Sequence, residues 1–215
     1  MAQDRAILHS DLNSFYASVE IMLNPALRDQ AIAVCGSTED RHGIVLAKSE
    51  KAKKAGIKTD MVNWEAKQKC PDLIMVSPQY EQYLKYSKLT REIYQRYTDQ
   101  VEPYGMDECW LDVTGSLGVF GDALSIAEEI RRTTRAELGL TVSIGVSYNK
   151  IFAKLGSDMK KPDAITVINR SDGIGIRSGH CRFRISSMWG EPLTRSLLGT
   201  VSGPSASWPE PPRIF

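Results

Sequence analysis

Up to Ile168 the chain alternates short apolar runs with amphipathic stretches. Beyond it neither a 3.6-residue nor a two-residue period survives, so only the first part can bury a continuous face. Composition breaks at the same place. Residues 171–215 hold none of the 13 lysines, but 5 of the 10 prolines, 6 of the 16 glycines and 8 serines, and read as a tail that cannot readily bury a face. What precedes the tail is long enough for one well-buried core, alone or with a small satellite domain. No apolar run approaches the roughly 20 residues that a membrane helix needs, and the first residues carry no signal-peptide pattern. Cys35, Cys70, Cys109 and Cys181 are scattered without a CxxC pair, which makes the cytoplasm the expected location.

The periodic part predicts strands over 6–11, 31–35, 44–47, 73–76, 100–104, 109–114, 141–146 and 164–168. Between them it predicts a helix through Leu23 capped by Asn13 or Ser14, and a short lysine-rich helix over 49–55 closed by Gly56. A helix capped by Asn63 ends at Pro71, and longer ones cover 80–98 and 120–138. Asn149 caps a last helix through Met159. Tyr83, Tyr86, Leu89, Ile93 and Tyr97 share one helical face, which reads as core packing. Strands and helices alternate with an antiparallel hairpin among them, so the expected class is α+β, a mixed or antiparallel sheet with helices packed on one face.

The net charge of +1 argues neither for nor against nucleic acid, but the charge is clustered. Lys48, Lys51, Lys53, Lys54 and Lys58 lie close together, while Asp107, Glu108 and Asp112 form an acidic group. Either cluster suits a solvated face. Asp11, however, ends the first strand, and a sheet that sets that strand beside the hairpin would bring Asp11, Asp107 and Glu108 together. Buried like charges persist only when cations neutralise them, and carboxylate oxygens select hard ions such as Mg²⁺. On residue types alone two readings stand: a metal site, or ordinary turn carboxylates with Asp11 as a cap.

Three longer stretches bear on that choice. His9-Ser10-Asp11-Leu12-Asn13-Ser14-Phe15-Tyr16-Ala17-Ser18-Val19-Glu20 resembles the opening motif of the Y-family DNA polymerases, the DNA polymerase IV (DinB/UmuC-like) group. Gly105-Met106-Asp107-Glu108-Cys109-Trp110-Leu111-Asp112-Val113-Thr114 resembles their second metal-binding motif, and the run from Gly145 through Lys154 to Lys161-Pro162 a third. The resemblance covers about residues 5–168 and stops where the composition breaks. It implies a polymerase palm over 1–24 and 79–168, a small fingers subdomain over 25–78, and a tail over 169–215 where relatives carry a thumb.

By that resemblance Asp11, Asp107 and Glu108, with the backbone carbonyl of Leu12, would hold two Mg²⁺ ions for nucleotidyl transfer. Tyr16 matches the family's steric gate against a ribose 2′-hydroxyl, although a packed helix aromatic would look the same in sequence. Phe15, Lys48, Lys53 and Lys161 match positions around the incoming nucleotide, and Lys150 and Lys154 lie nearby. Departures from the family pattern are Glu50 and Lys53, where many relatives carry Tyr and Arg, and Gly105, where many carry Ser. Lys53 still neutralises phosphate as a point charge, without a bidentate fork. Glu50 cannot do what a tyrosine does. The implied partners are primer–template DNA and a deoxynucleoside triphosphate, with no membrane. In full-length relatives a sliding clamp is a further partner, but its binding region lies outside the stretch that matches here.

The implied function is template-directed DNA synthesis of the error-prone, translesion type, with weak or no activity expected from this chain alone. The alternatives are a non-catalytic remnant of such a polymerase and a two-metal nucleotide cyclase. The cyclase's usual Gly-Gly-Asp/Glu-Glu-Phe pattern is absent from the sequence, and Tyr16 has no role in it. The tail itself reads as an out-of-frame thumb, the alternative being a genuine but unusual C-terminal linker. Met188 and Trp189 have single codons, so reading one nucleotide earlier forces Val-Gly. Residues 180–187 permit Pro-Leu-Pro-Val-Ser-Asp-Leu-Leu ahead of it, which resembles the lead into a family thumb. Translation of the gene in that neighbouring frame past Asp172 should therefore give thumb-like sequence. Stop codons, or unrelated residues, would refute the frame shift.

Overall fold

The structure is a computed structural model that describes residues 5–36 and 43–170. The chain divides into two compact units, Met1–Ile168 and Asn169–Phe215. The second lies almost wholly outside the described residues, and the expected out-of-frame tail lies there with it.

In chain order, β1 (Ile7–Leu12) leads through Asn13 and Ser14 into α1 (Phe15–Leu23). Next come β2 (Ile32–Cys35), β3 (Val45–Lys48), α2 (Glu50–Lys54), α3 (Asn63–Lys69) and β4 (Ile74–Val76). After α4 (Tyr80–Tyr94), the strands β5 (Val101–Tyr104) and β6 (Glu108–Asp112) form a hairpin. The unit closes with α5 (Leu117–Phe120), α6 (Ala123–Leu138), β7 (Val142–Ser147), α7 (Lys150–Met159) and β8 (Ile165–Ile168). No helix among the described residues is long and apolar enough to cross a membrane.

β1 is buried along its whole length and sits in the middle of a five-stranded sheet of order β5-β6-β1-β7-β8. It runs antiparallel to β6 and β7, while β8 returns parallel to β7 through α7, so the sheet is mixed. A second sheet, β3-β2-β4, is smaller. Its central strand explains the uninterrupted apolar run Ile-Ala-Val-Cys. Ile32 and Val34 join the main core with Leu8, Leu111, Ile126 and Ile144, whereas Ala33 and Cys35 face a second core with Val45, Ala52, Ile57 and Leu73. A strand buried on both faces does not alternate in polarity, and β2 fastens the two cores together. Each of those larger aliphatic side chains contributes about 1.5–3 kcal/mol by leaving water.

The expected class holds, but the helices take both faces of the large sheet rather than one. Neighbouring residues of a strand point to opposite sides. On β1, His9 Nδ1 lies 2.8 Å from Ser157 Oγ of α7, and the next residue, Ser10, meets Tyr94 Oη of α4 at 2.8 Å. So α7 covers one face while α4, with α6 in the main core beside it, covers the other. Glycine makes the α7 packing feasible: Gly145 of β7 lies against this helix, and a Cβ there would collide with the Ala153 carbonyl oxygen and come within 2.6 Å of the Ser157 nitrogen.

Helix ends differ from expectation where a side chain found another partner. Asn149 Oδ1 accepts from the Phe152 amide at 2.9 Å, as a cap should. Ser14, in the left-handed region at φ 48°, does not cap α1; its hydroxyl donates instead to Glu50 Oε1 at 3.1 Å. Asn13 accepts from the Ser143 hydroxyl at 2.7 Å. Asn63 is the first helical residue of α3 rather than its cap, and its buried amide group has no hydrogen-bond partner. The single helix expected over 120–138 is broken at Gly121, whose φ of 92° suits glycine, and Asp122 caps α6 through the Ser125 amide at 2.7 Å. α4 stops at Tyr94, four residues early; Thr98 beyond it donates to the Asp112 carbonyl at 2.7 Å and ties the helix exit to β6.

Candidate active site

The β-sheet register decides what Asp11 can meet. Asp11 and Glu108 are direct partners across the antiparallel β1–β6 pair, and the Leu12 amide donates to the Asp107 carbonyl at 3.0 Å. The β5–β6 turn therefore closes over the end of β1. It brings Asp107 and Glu108 to Asp11, although the two segments lie far apart in sequence. The turn is held from behind, where Ser87 of α4 donates to the Met106 carbonyl at 2.5 Å. Gly105, at φ 71°, supplies the left-handed residue that makes the turn sharp enough.

The three carboxyl groups are then distinguished by their surroundings. Burial raises the Asp11 carboxyl above its ordinary value against the pull of Lys161, whose Nζ is 2.6 Å from Asp11 Oδ2. Burial, then the charges of Asp11 and Glu108, push Asp107 up to about 6. Burial would also raise Glu108, but hydrogen bonds from His9 and Lys154 outweigh it and hold this group down to about 2. Lys161 also pairs with Asp158 at 2.8 Å, and these acidic partners keep its own pKa raised in spite of burial. Asp107 forms no ion pair among the described residues.

That donor set suits a hard divalent cation: carboxylates only, partly desolvated, one of them uncompensated. As they stand the side chains are not gathered around a point. Among the described residues no three Asp, Glu, His or Cys side chains converge closely enough to cage an ion. Two of them are instead engaged with basic groups: Asp11 holds Lys161, and Glu108 holds Lys154 and His9 through one oxygen.

Around the carboxylates the expected residues separate into three groups. Tyr16, on the first turn of α1, stacks on Tyr83 at 4.2 Å and 9° between planes, and its hydroxyl points to Met106 Sδ at 3.6 Å. Burial and then the charge of Asp107 raise its pKa, which places the ring beside the acidic turn. Phe15 packs beside it but deeper: the residue is 3% exposed and lies in the main core against Tyr83, so only its backbone remains to meet a ligand. The Leu12 side chain is likewise buried, and its contribution is confined to the main chain. Lys48 and Lys53 form a third group. Lys53 lies 3.7 Å from Glu50, which in turn holds Ser14, and burial together with Lys53 lowers the Lys48 pKa. Thus Glu50 links the lysine cluster to the start of α1. No side chain caps that start, and uncapped helix amides attract anions.

Two basic neighbours of Glu108 carry no mark of that position in the sequence pattern. Lys154 pairs with Glu108. His9 was not singled out, yet it is wholly buried and bonds the same carboxylate at 3.1 Å. Strand alternation could have found it, because His9 lies two residues before Asp11 and so on the same face.

Comparison with known proteins gives the class and then the family. By fold the chain is of the Y-family DNA polymerase class: the solved insertion ternary complex of Dbh DNA polymerase superposes with a TM-score of 0.79 at 28% identity, covering 92% of this chain and 58% of that one. DNA polymerase IV of Acetivibrio thermocellus is 62% identical over 168 residues, 78% of this chain and 42% of the relative. DNA polymerase IV 1 of Bacillus subtilis is 44% identical, again over 78% of this chain and 40% of its own. Residues 10–158 match the impB/mucB/samB family model, and the chain belongs to that family. It spans about two fifths of the length of the curated relatives it matches.

The raised Asp107 carboxyl has a consequence for stability. A carboxyl whose folded pKa lies above its ordinary 3.8 binds its proton more tightly in the fold. Its penalty is absent well below pH 4, grows as pH rises toward about 6, and is fully present at neutral pH. Replacing it by a neutral isostere, Asp107→Asn, should therefore stabilise the chelated protein at neutral pH by about 1–2 kcal/mol after solvent screening. The gain should vanish near pH 4. Urea denaturation in EDTA at both pH values measures this, and equal stability of the two proteins at neutral pH would contradict it.

Proposed function

We propose that the chain carries the catalytic palm and fingers of a template-directed DNA polymerase of the translesion type, joining a deoxynucleoside triphosphate to a primer 3′ end. The reading is carried by the strand register that sets Asp11 opposite Glu108 and the Leu12 amide on the Asp107 carbonyl, beside Tyr16 and the start of α1. The three carboxylates and the Leu12 carbonyl would hold two Mg²⁺ ions, which when bound acidify the primer hydroxyl and neutralise the triphosphate.

The protein's own groups do the positioning. Residues 1–24 and 79–168 act as palm and 25–78 as fingers, with β2 joining their cores. The Tyr16 ring, held flat by Tyr83 and Tyr80, lies under the nucleotide sugar and leaves no room for a 2′-hydroxyl. Lys161, paired with Asp11 here, would bring its charge to the triphosphate, and Lys48 and Lys53 would neutralise it from the fingers. The backbone amide of Phe15 at the start of α1 adds a donor. Water is limited on the α4 side by the packed aromatic ring of Tyr83.

Grip on DNA is weak in this chain. Through Arg170 it has 22 basic and 23 acidic residues, and nonspecific affinity scales with the phosphates neutralised. We assign no clamp contact to the described residues. A cytoplasmic location fits free thiols at Cys35, Cys70 and Cys109. A second reading, a folded remnant without useful activity, is favoured by Glu50, whose charge stands among the lysines meant for phosphate.

Primer extension separates the two. Wild-type chain with Mg²⁺, and a frame-restored version with its thumb, should both add nucleotides, the second far faster, and Asp107→Ala should abolish incorporation in either; retained activity in that variant would remove the metal assignment. If only the frame-restored protein extends a primer, the remnant reading holds for the present chain. In the frame-restored protein, Tyr16→Ala should raise ribonucleotide incorporation about a hundredfold or more relative to deoxynucleotide, the order of discrimination set by a steric clash of about 3 kcal/mol. Unchanged sugar selectivity would withdraw the gate role.

A further inference from the structure

Glu108 is the most tightly held of the three carboxylates, and one of its two holders has no part in the reaction described above. His9 Nε2 lies 3.1 Å from Glu108 Oε2, and Lys154 bonds the same oxygen. Both bonds fall on Oε2, so Oε1 has no side-chain partner among the described residues and is the oxygen left to face a cation.

The two donors are not equivalent. An ammonium on a four-carbon stem swings with its partner, whereas an imidazole fixed at its other nitrogen gives a bond of one direction. His9 is fixed in this way. Its Nδ1 lies 2.8 Å from Ser157 Oγ, whose single proton serves either that nitrogen or the Lys154 carbonyl, 2.8 Å away in α7. Ser157 can reach His9 because α7 lies directly on Gly145, the residue opposite His9 in the β1–β7 register. Trp110 closes the remaining side of the ring, edge-on, at 4.9 Å between centroids. The imidazole is 0% exposed and has no freedom to rotate away.

We infer that His9 is a positioning residue: anchored by Ser157, it fixes the Glu108 carboxylate so that Oε1 is presented toward the divalent cation beside Asp11 and Asp107. This rests on the metal-site reading of the carboxylates. Groups that orient a metal ligand typically change metal affinity by 10–100-fold when removed.

The test needs no catalysis. Thermal melting of the 215-residue chain is followed while Mn²⁺ or Mg²⁺ is added, and the ion concentration giving half the rise in Tm is read. His9→Phe should raise that concentration about tenfold or more, Ser157→Ala severalfold, and His9→Gln, which keeps an N–H donor, less than His9→Phe. A merely structural role would lower Tm in EDTA and leave the midpoint in place. Midpoints within about twofold of the parent for His9→Phe and Ser157→Ala, both still melting cooperatively, would overturn the inference. Should the phenylalanine variant not fold, Ser157→Ala, which leaves His9 present, decides alone. A parent chain whose Tm responds to neither ion overturns the metal-site reading and this inference with it, whereas a responsive parent with unmoved variants overturns the inference only.

Discussion

Asp11 and Glu108 face each other across neighbouring antiparallel strands, where like charges oppose strand pairing, and Asp107 adds a third negative group at the turn between them. In water such repulsion would open the edge. Here the strands are committed elsewhere: β1 is buried throughout its length between β6 and β7, with apolar residues of both partners in one core. The charges must therefore be compensated where they stand. Lys161 and Lys154, both from the α7 region, and His9 from below supply that compensation to Asp11 and Glu108. Asp107 forms no ion pair among the described residues, and burial first, then the charges of Asp11 and Glu108, raise its pKa in spite of the nearby Lys161 charge.

This arrangement connects folding to function in one step. A site that tolerated three free carboxylates would not need a cation, and a site fully neutralised by lysines would not bind one. Among the described residues two carboxylates are paired with ammonium groups and one forms no ion pair, so a divalent ion held as proposed above would have to displace Lys161 from Asp11. Glycine at position 145 belongs to this balance as much as the charged groups do, because it lets α7 lie close enough for Ser157 to reach His9.

Much of the fold was legible in the sequence. A continuous apolar run marked β2, apolar residues beside turn signals marked β1 and β7, and Asn149 marked the start of α7. The placing of Asp11 opposite Glu108 was legible too, since it follows from strand order and strand ends. What could not be read was where a side chain would spend its hydrogen bonds. Ser14 looks like a cap and bonds Glu50 instead, Asn63 looks like a cap but its side-chain amide is buried with no hydrogen-bond partner among the described residues, and Phe15 looks like a nucleotide contact while its ring fills the core. Helices on both sheet faces were missed because period alone shows that a helix has an apolar side, and the side of the sheet it covers depends on tertiary connection. Lys154 and His9 acquired their roles from neighbours distant in sequence, Glu108 and Ser157.

Crystals of the chain soaked in manganese offer the most direct view of the central relationship, through the anomalous signal of the ion. Expected is density within coordination distance of Asp11, Asp107 and Glu108 together, with Lys161 swung off the Asp11 carboxylate. Density elsewhere only, or the acidic groups still paired with their lysines and turned from one another at saturating ion, would contradict it.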